Sequence, residues 1–222
     1  MSKDDTEITT QHSMLVVWGI YAQALGLIQE LQKVPIHQKT VDYSPQAKIV
    51  EFFLAILAGL EHLQELNTAA EPIVKDLAVA QAWQQVGWAH HSGVSRTLKA
   101  LTQEQAEQIV EVLKRIEQPI IDREVMLALA THGELVLDGD LTARPVSNTS
   151  RTYPEAAFGL MEGKQVGLGY QSAQVSVSTV TYGRLLLSSA LHPGSVVSNT
   201  QTENLVLAAE ARIGIRPLRR TP

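Results

Sequence analysis

Apolar residues recur at three-and-four spacing through the first 130 positions and alternate one by one afterwards, so the chain carries two textures. Leu15 to Val34 is an apolar-rich helical stretch closed by Pro35. Ser44-Pro45 gives an N-cap with proline at the first helical position, and Ile49, Phe52, Phe53, Ile56, Leu57, Leu60 and Leu63 behind it predict one buried stripe. Thr102-Gln103-Glu104-Gln105 has the form of a capping box, whose ends satisfy each other's free backbone donors. It opens a helix with Ala106, Ile109, Val112, Leu113 and Ile116 on its apolar face; Pro119 is expected to interrupt it, with a further helix over 121–130.

After Gly133 the period changes to two. Glu134 to Asp138 is an apolar run of strand length, Gln165 to Thr181 alternates in part and is rich in β-branched residues, and Gly183 separates it from Arg184 to Ser188, a third strand. A second capping box, Thr200 to Glu203, predicts a helix through Leu205, Val206, Ala209 and Ala211 that stops at Gly214. The order predicts an α+β chain: a helical arm over 1–43, a helical domain over 44–130, and a strand-bearing domain of three strands and one helix over 131–222.

Composition narrows the function classes. The longest apolar stretch, Ile49 to Leu66, carries Glu51, Glu61, His62 and Glu65, which argues against a membrane span. The polar start Met1 to Asp5 gives no secretory h-region, so the expected location is the cytoplasm, and the match of Asn148-Thr149-Ser150 to a glycosylation sequon is accidental. With no cysteine, disulfides, thiolate zinc sites and cysteine nucleophiles drop out. The net charge of −5 hides an asymmetry. Residues 1–130 hold ten basic against sixteen acidic side chains, whereas 131–222 hold eight against seven and end in Arg212, Arg216, Arg219 and Arg220. Guanidinium forks match phosphate oxygens, so this tail is either a grip on a nucleic-acid backbone or a solvated terminus.

Few local motifs carry chemistry. Asp138-Gly139-Asp140 stands at the end of a strand predicted to be buried, where a carboxylate must find donors, a cation or a proton. Two carboxylates so close suit a hard ion such as Mg²⁺, and an Asp-Gly turn needs no ion; both readings are open on these residues. His90 and His91 point about 100° apart on a helix and suit a loop or surface role. The glycines from Gly163 to Gly169 lack phosphate-loop spacing. Gly93 to Leu101 forms a short helix with Leu98 and Leu101 inward and Ser95, Arg96 and Lys99 outward, the layout of a groove-reading helix and also of any amphipathic one.

Taken together, Leu137 to Ser150, Tyr153 to Gly159, Gly167 to Gln171, Thr181 to Arg184, His192 to Gly194 and Leu207 to Arg212 resemble the N-terminal part of an insertion-sequence transposase of the DDE type. Leu57-Ala58-Gly59 and Val94 to Leu98 are similar to the helical segment before its core. The resemblance covers most of Ser44 to Arg220 and implies an RNase H-like core over 131–222, present in part, with the helical domain binding DNA. It implies metal-dependent DNA cleavage and strand transfer, with Mg²⁺ as cofactor. In such cores the first acid lies on the first strand with Thr or Ser two residues on. Asp140-Leu141-Thr142 fits that pattern better than Asp138, so Asp140 is the expected catalytic and metal-binding acid and Asp138 the alternative. Arg144, inside the matched segment, joins Ser95, Arg96, Lys99, Arg216, Arg219 and Arg220 as expected DNA contacts.

The chain departs from the family in one respect. A DDE site needs three carboxylates, and the second and third belong to a strand and a helix beyond Pro222; Glu203 and Glu210 do not take those roles. A truncated transposase that does not act alone is therefore expected, with insertion-sequence ends as DNA partner and a full-length transposase or the remaining C-terminal part as protein partner. The alternative is a non-catalytic DNA-binding protein that recognises element ends or represses the intact enzyme.

Overall fold

The computed structural model describes residues 9–39, 42–148, 153–161, 165–196 and 198–214. It is a mixed helix-and-sheet chain of two compact units, 1–117 and 118–222.

The first unit is helical: α1 (Ser13–Ala24), α2 (Leu27–Gln32), α3 (Pro45–Leu57), α4 (Glu65–Thr68), α5 (Leu77–Ala82), α6 (His91–Lys99) and the first part of α7 (Gln103–His132). Leu15, Ala22, Ile28 and Leu31 share one core with Leu54, Leu66, Val79, Trp83 and Val112, so the stretch expected as an arm packs with the rest. The indole N–H of Trp83 donates to the carbonyl of Leu15 at 2.8 Å, which ties α5 to α1 inside that core.

The capping signals of the first unit are realised, whereas the last described helix starts at Ser198, two residues before the expected cap Thr200, which therefore lies inside it. The hydroxyl of Ser44 accepts from the amide of Ala47 at 3.1 Å. The amide of Thr102 donates to Gln105 Oε1 at 3.1 Å and the amide of Gln105 to Thr102 Oγ1 at 3.2 Å, a reciprocal box. Thr102→Ala is expected to lower the stability of the first unit by about 1 kcal/mol, read from its urea midpoint.

Two helical expectations are corrected. The buried side of α3 is Ile49, Val50, Glu51, Leu54 and Ala55, whereas Ile56 and Leu57 are exposed. Apolar residues stand around most of this helix; Ile49, Phe53, Leu60 and Leu63 of the expected stripe do meet the core, and Val50 and Leu54 take the places expected of Ile56 and Leu57. Pro119 does not end α7, which runs through it to His132. An interior proline costs about 3 kcal/mol by removing one helical bond and crowding a carbonyl. Here each side of it is held by a different core: Ile109 and Val112 by the first unit's, Ile121 and Val125 by the second's.

The second unit is an antiparallel sheet with helices on one face. Its strands are β1 (Leu137–Pro145), β2 (Ala157–Leu160), β3 (Val166–Thr179) and β4 (Gly183–Pro193), followed by α8 (Ser198–Ile213). The long β3 is central, pairing with β1 over 169–177, with β2 over 166–169 and with β4 over 170–179. The sheet thus has a fourth, four-residue strand where three were expected. Every second residue of β3 from Ala173 to Val177 is buried, and Val175 and Val177 share a core with Ile121, Val125, Leu187 and Ala209. Leu187 enters that core at a bulge opposite Val175 and Ser176. Ser188 Oγ donates to the carbonyl of Leu205 at 3.1 Å and binds α8 to the sheet, and α8 ends at Gly214 as the sequence predicts.

Candidate functional site

The opposite face of the sheet is open, and the register decides what stands on it. Residues directly paired share a face. Asp138 lies opposite Ser176, Asp140 opposite Gln174, Thr142 opposite Ser172 and Arg144 opposite Tyr170. From β4, Arg184, Leu186, Ser189 and Leu191 join them through Ser178, Ser176, Gln174 and Ser172. The result is a polar stripe along β3, with two acids on the edge strand and an arginine near each end.

Asp138 and Asp140 therefore lie within a strand and not at its end. Gly139 between them pairs with Val175, so the Asp-Gly turn reading is overturned. The expected desolvation is overturned as well: β1 is an edge strand whose outer face meets solvent, the Asp138 side chain is 46% exposed and Asp140 is exposed. Asp138 Oδ2 accepts from Arg184 Nη1 at 2.7 Å. Thr142 Oγ1 donates to Asp140 Oδ2 at 2.7 Å and fixes the second carboxylate. Arg144 is exposed two residues further along the same face.

The donor set bears on Mg²⁺. Carboxylate oxygens are the hard donors this ion takes. The stripe offers two such groups, one engaged by a guanidinium and one by a hydroxyl. Among the described residues no group of three or more Asp, Glu or His side chains gathers in a way that holds a metal ion. A single pair does not clamp the two ions of an in-line phosphoryl displacement, so the described residues do not fit a two-ion centre.

Three of the other expected DNA contacts, Ser95, Arg96 and Lys99, lie in the first unit. On α6, Val94 and Thr97 are buried, Leu98 and Leu101 pack against the core, Ser95 is half-buried, and Arg96 and Lys99 are exposed. The lead-in to α6 is held from two sides. Asn67 Oδ1 accepts the amide of His91 at 2.8 Å, and Glu51 Oε2 accepts the amide of Ala89 at 2.9 Å. His90 caps the helix, its ring accepting from the amide of Ser92, and His91 sits by Asn67, so each histidine has a local structural role. Arg216, Arg219 and Arg220 lie outside the described residues, as do Thr149 and Ser150 of the sequon.

Three residues were not anticipated. Arg184 belongs to a segment quoted for the resemblance, but its partner is 46 positions away and only the register joins them. Glu51 and Glu124 are fully buried acids. Burial pushes Glu51 up to about 7, against the lowering by the Ala89 amide and by Lys48. Burial also raises Glu124, but hydrogen bonds from Thr181 and Arg123 outweigh it and hold that carboxyl below its ordinary range. Their only sequence signal is an acid set within an apolar helical run, which is also how an ordinary solvent-facing residue looks.

No protein-family model matches the chain, and neither a curated protein nor a solved structure matches it. Among the described residues no helix is long and apolar enough to cross a membrane.

Proposed function

We propose that the chain derives from a DDE transposase, that its second unit is the opening of an RNase H-like core with Asp140 as the first acid, and that by itself it binds DNA without cutting it. The observation that carries this reading is Asp140 on the open face of the first strand, with the hydroxyl of Thr142 bonded to it two residues on. Further support comes from the order of the long strands β1, β3 and β4, antiparallel with β3 in the middle, followed by a helix packed on one face. The family reaction needs three carboxylates, so cleavage and strand transfer require further acids. A full-length transposase or a C-terminal part is the partner that would supply them.

DNA is the partner that α6 suits, through Arg96 and Lys99. The alternative, a protein that binds element ends and represses the intact enzyme, draws on the engagement of Asp138 by Arg184, which leaves the acid pair half neutralised. Both readings are tested with purified protein and a labelled duplex carrying insertion-sequence ends. Each phosphate contact contributes roughly one unit to the slope of log K against log salt, so Arg96→Gln and Lys99→Gln are each expected to make it shallower by about one. Unchanged slopes for both would remove α6 from the interface. Mg²⁺-dependent cleavage of the duplex by the chain alone would overturn its inertness.

A further inference from the structure

Thr181-Tyr182-Gly183-Arg184 leads from the β3–β4 turn into β4. In the structure these four residues form a latch on α7 that ends in a cation. Glu124, fully buried, accepts the amide of Thr181 at 3.1 Å. Its other oxygen accepts from Arg123 Nη2 at 3.1 Å. Arg123 also donates to the hydroxyl of Tyr182 at 3.0 Å, its guanidinium 5.8 Å from the ring centroid. Gly183 turns the chain at φ +75°, a left-handed conformation that suits glycine, and Tyr182 accepts the amide of Arg184 at 2.9 Å. The backbone under Arg184 is therefore fixed, while its side chain is 69% exposed.

That side chain rests on Asp138, on the same face as Asp140. An exposed pair of this kind is worth less than a factor of about five in equilibrium, so exchanging the partner costs little. A guanidinium fork binds phosphate oxygens at least as well as a carboxylate. We propose that Arg184 is a phosphate-contacting residue for nucleic acid laid on the open sheet face, that Asp138 holds it when no polyanion is present, and that the Glu124–Thr181 latch keeps its base in place during the exchange. The assignment rests on the DNA reading above but concerns a different unit and a different residue from the α6 contacts. It also gives Asp138 a role distinct from that of Asp140: it is the resting partner of a cation.

The test is duplex-DNA binding by the full chain, followed by fluorescence anisotropy over a range of KCl concentrations without divalent ions. Arg184→Gln is expected to make the salt slope shallower by about one, and Arg184→Lys, which keeps the charge, to restore it. Asp138→Asn removes the competing partner and is expected to tighten binding two- to fivefold with the slope unchanged. Thermal melts confirm that each variant is folded; Arg184 and Asp138 are surface residues, and neither change removes a core contact. A slope for Arg184→Gln equal to that of the native chain overturns the proposal, as does unchanged or weaker binding by Asp138→Asn. Absence of binding by every protein at low salt would sink the DNA reading too, whereas binding with a slope independent of Arg184 sinks only this inference.

Discussion

Gly169→Ala is expected to destabilise the second unit by about 3 kcal/mol, at the upper end of what overpacking costs. A β-carbon there would stand 2.4 Å from the carbonyl oxygen of Arg144, 2.9 Å from the sulfur of Met161 and 3.0 Å from the α-carbon of Pro145. The thioether can swing aside, but the backbone of β1 cannot. β1 is paired with β3 along Leu137 to Pro145, and the amide of Val146 donates to the carbonyl of Leu168 at 3.0 Å. On the same residue the amide of Gly194 donates to the carbonyl of Gly169 at 2.9 Å, so three chain segments meet at one point. Relief requires the end of β1 to peel away, which takes Arg144 out of register. Amide exchange is the suitable readout, since it follows the second unit separately from the first. Protection of β1 and β3 should fall together in Gly169→Ala. Gly139→Ala, in the partner strand β1 and with nothing within 4 Å of the added carbon, should change stability by no more than about 0.5 kcal/mol. Equal protection in the two variants would show that the close approach at Gly169 is absent.

The features legible in the sequence are those decided within a few residues. Ser44, Thr102 and Gln105 act on backbone groups three positions away, so their caps can be read directly and are formed as read. The alternation in β3 is equally local, because a central strand with one covered face must repeat with period two. Illegible features depend on distant partners. α3 is apolar around most of its circumference, and only the packing of the other helices selects Val50 and Leu54 over Ile56 and Leu57. β2 is four residues long, with too few positions to show a period, and exists because β3 extends past β4 and offers it an edge. α7 continues through Pro119 because two separate cores grip its two parts, a fact outside any window around the proline.

The candidate site divides in the same way. Asp138, Asp140 and Thr142 share a face by their spacing alone, and the hydroxyl bond to Asp140 follows from it. That the face is open, and that Arg184 neutralises one acid, depends on β3 lying between β1 and β4. A buried opening strand would leave its acids in want of a cation from outside. The sheet instead places one of the chain's own arginines, Arg184, on Asp138.

The first unit should lose stability as pH rises, and Glu51 should be the cause. The carboxyl is buried to 1% exposure in α3, and desolvation carries its pKa from an ordinary 4.5 to about 7 in the folded state. Below about pH 4.5 the group is protonated both folded and unfolded, and its favourable contribution is fully present. Between the two values the folded state keeps a proton that the unfolded state has released, so stability falls as pH rises and levels off above about 7. The full difference is about 3 kcal/mol at 1.36 kcal/mol per unit. Glu51→Gln keeps an acceptor for the Ala89 amide and removes the charge. It should match the native protein near pH 4.5 and exceed its stability by about 1–3 kcal/mol at pH 8. Subtracting the two urea-midpoint profiles cancels the other titrating groups and leaves Glu51. A flat difference from pH 4.5 to 8 would mean that the carboxyl is hydrated or ionised in the folded chain. Two unpartnered buried atoms, Glu51 Oε1 and Trp88 Nε1, belong to this region among the described residues. Ala89 immediately precedes the cap of α6, so a charge forming on Glu51 draws water to the root of the helix that carries Arg96 and Lys99. The DNA binding proposed for that helix should then weaken in the native chain above about pH 7 and hold steady in Glu51→Gln, a comparison that separates loss of this anchor from loss of the fold.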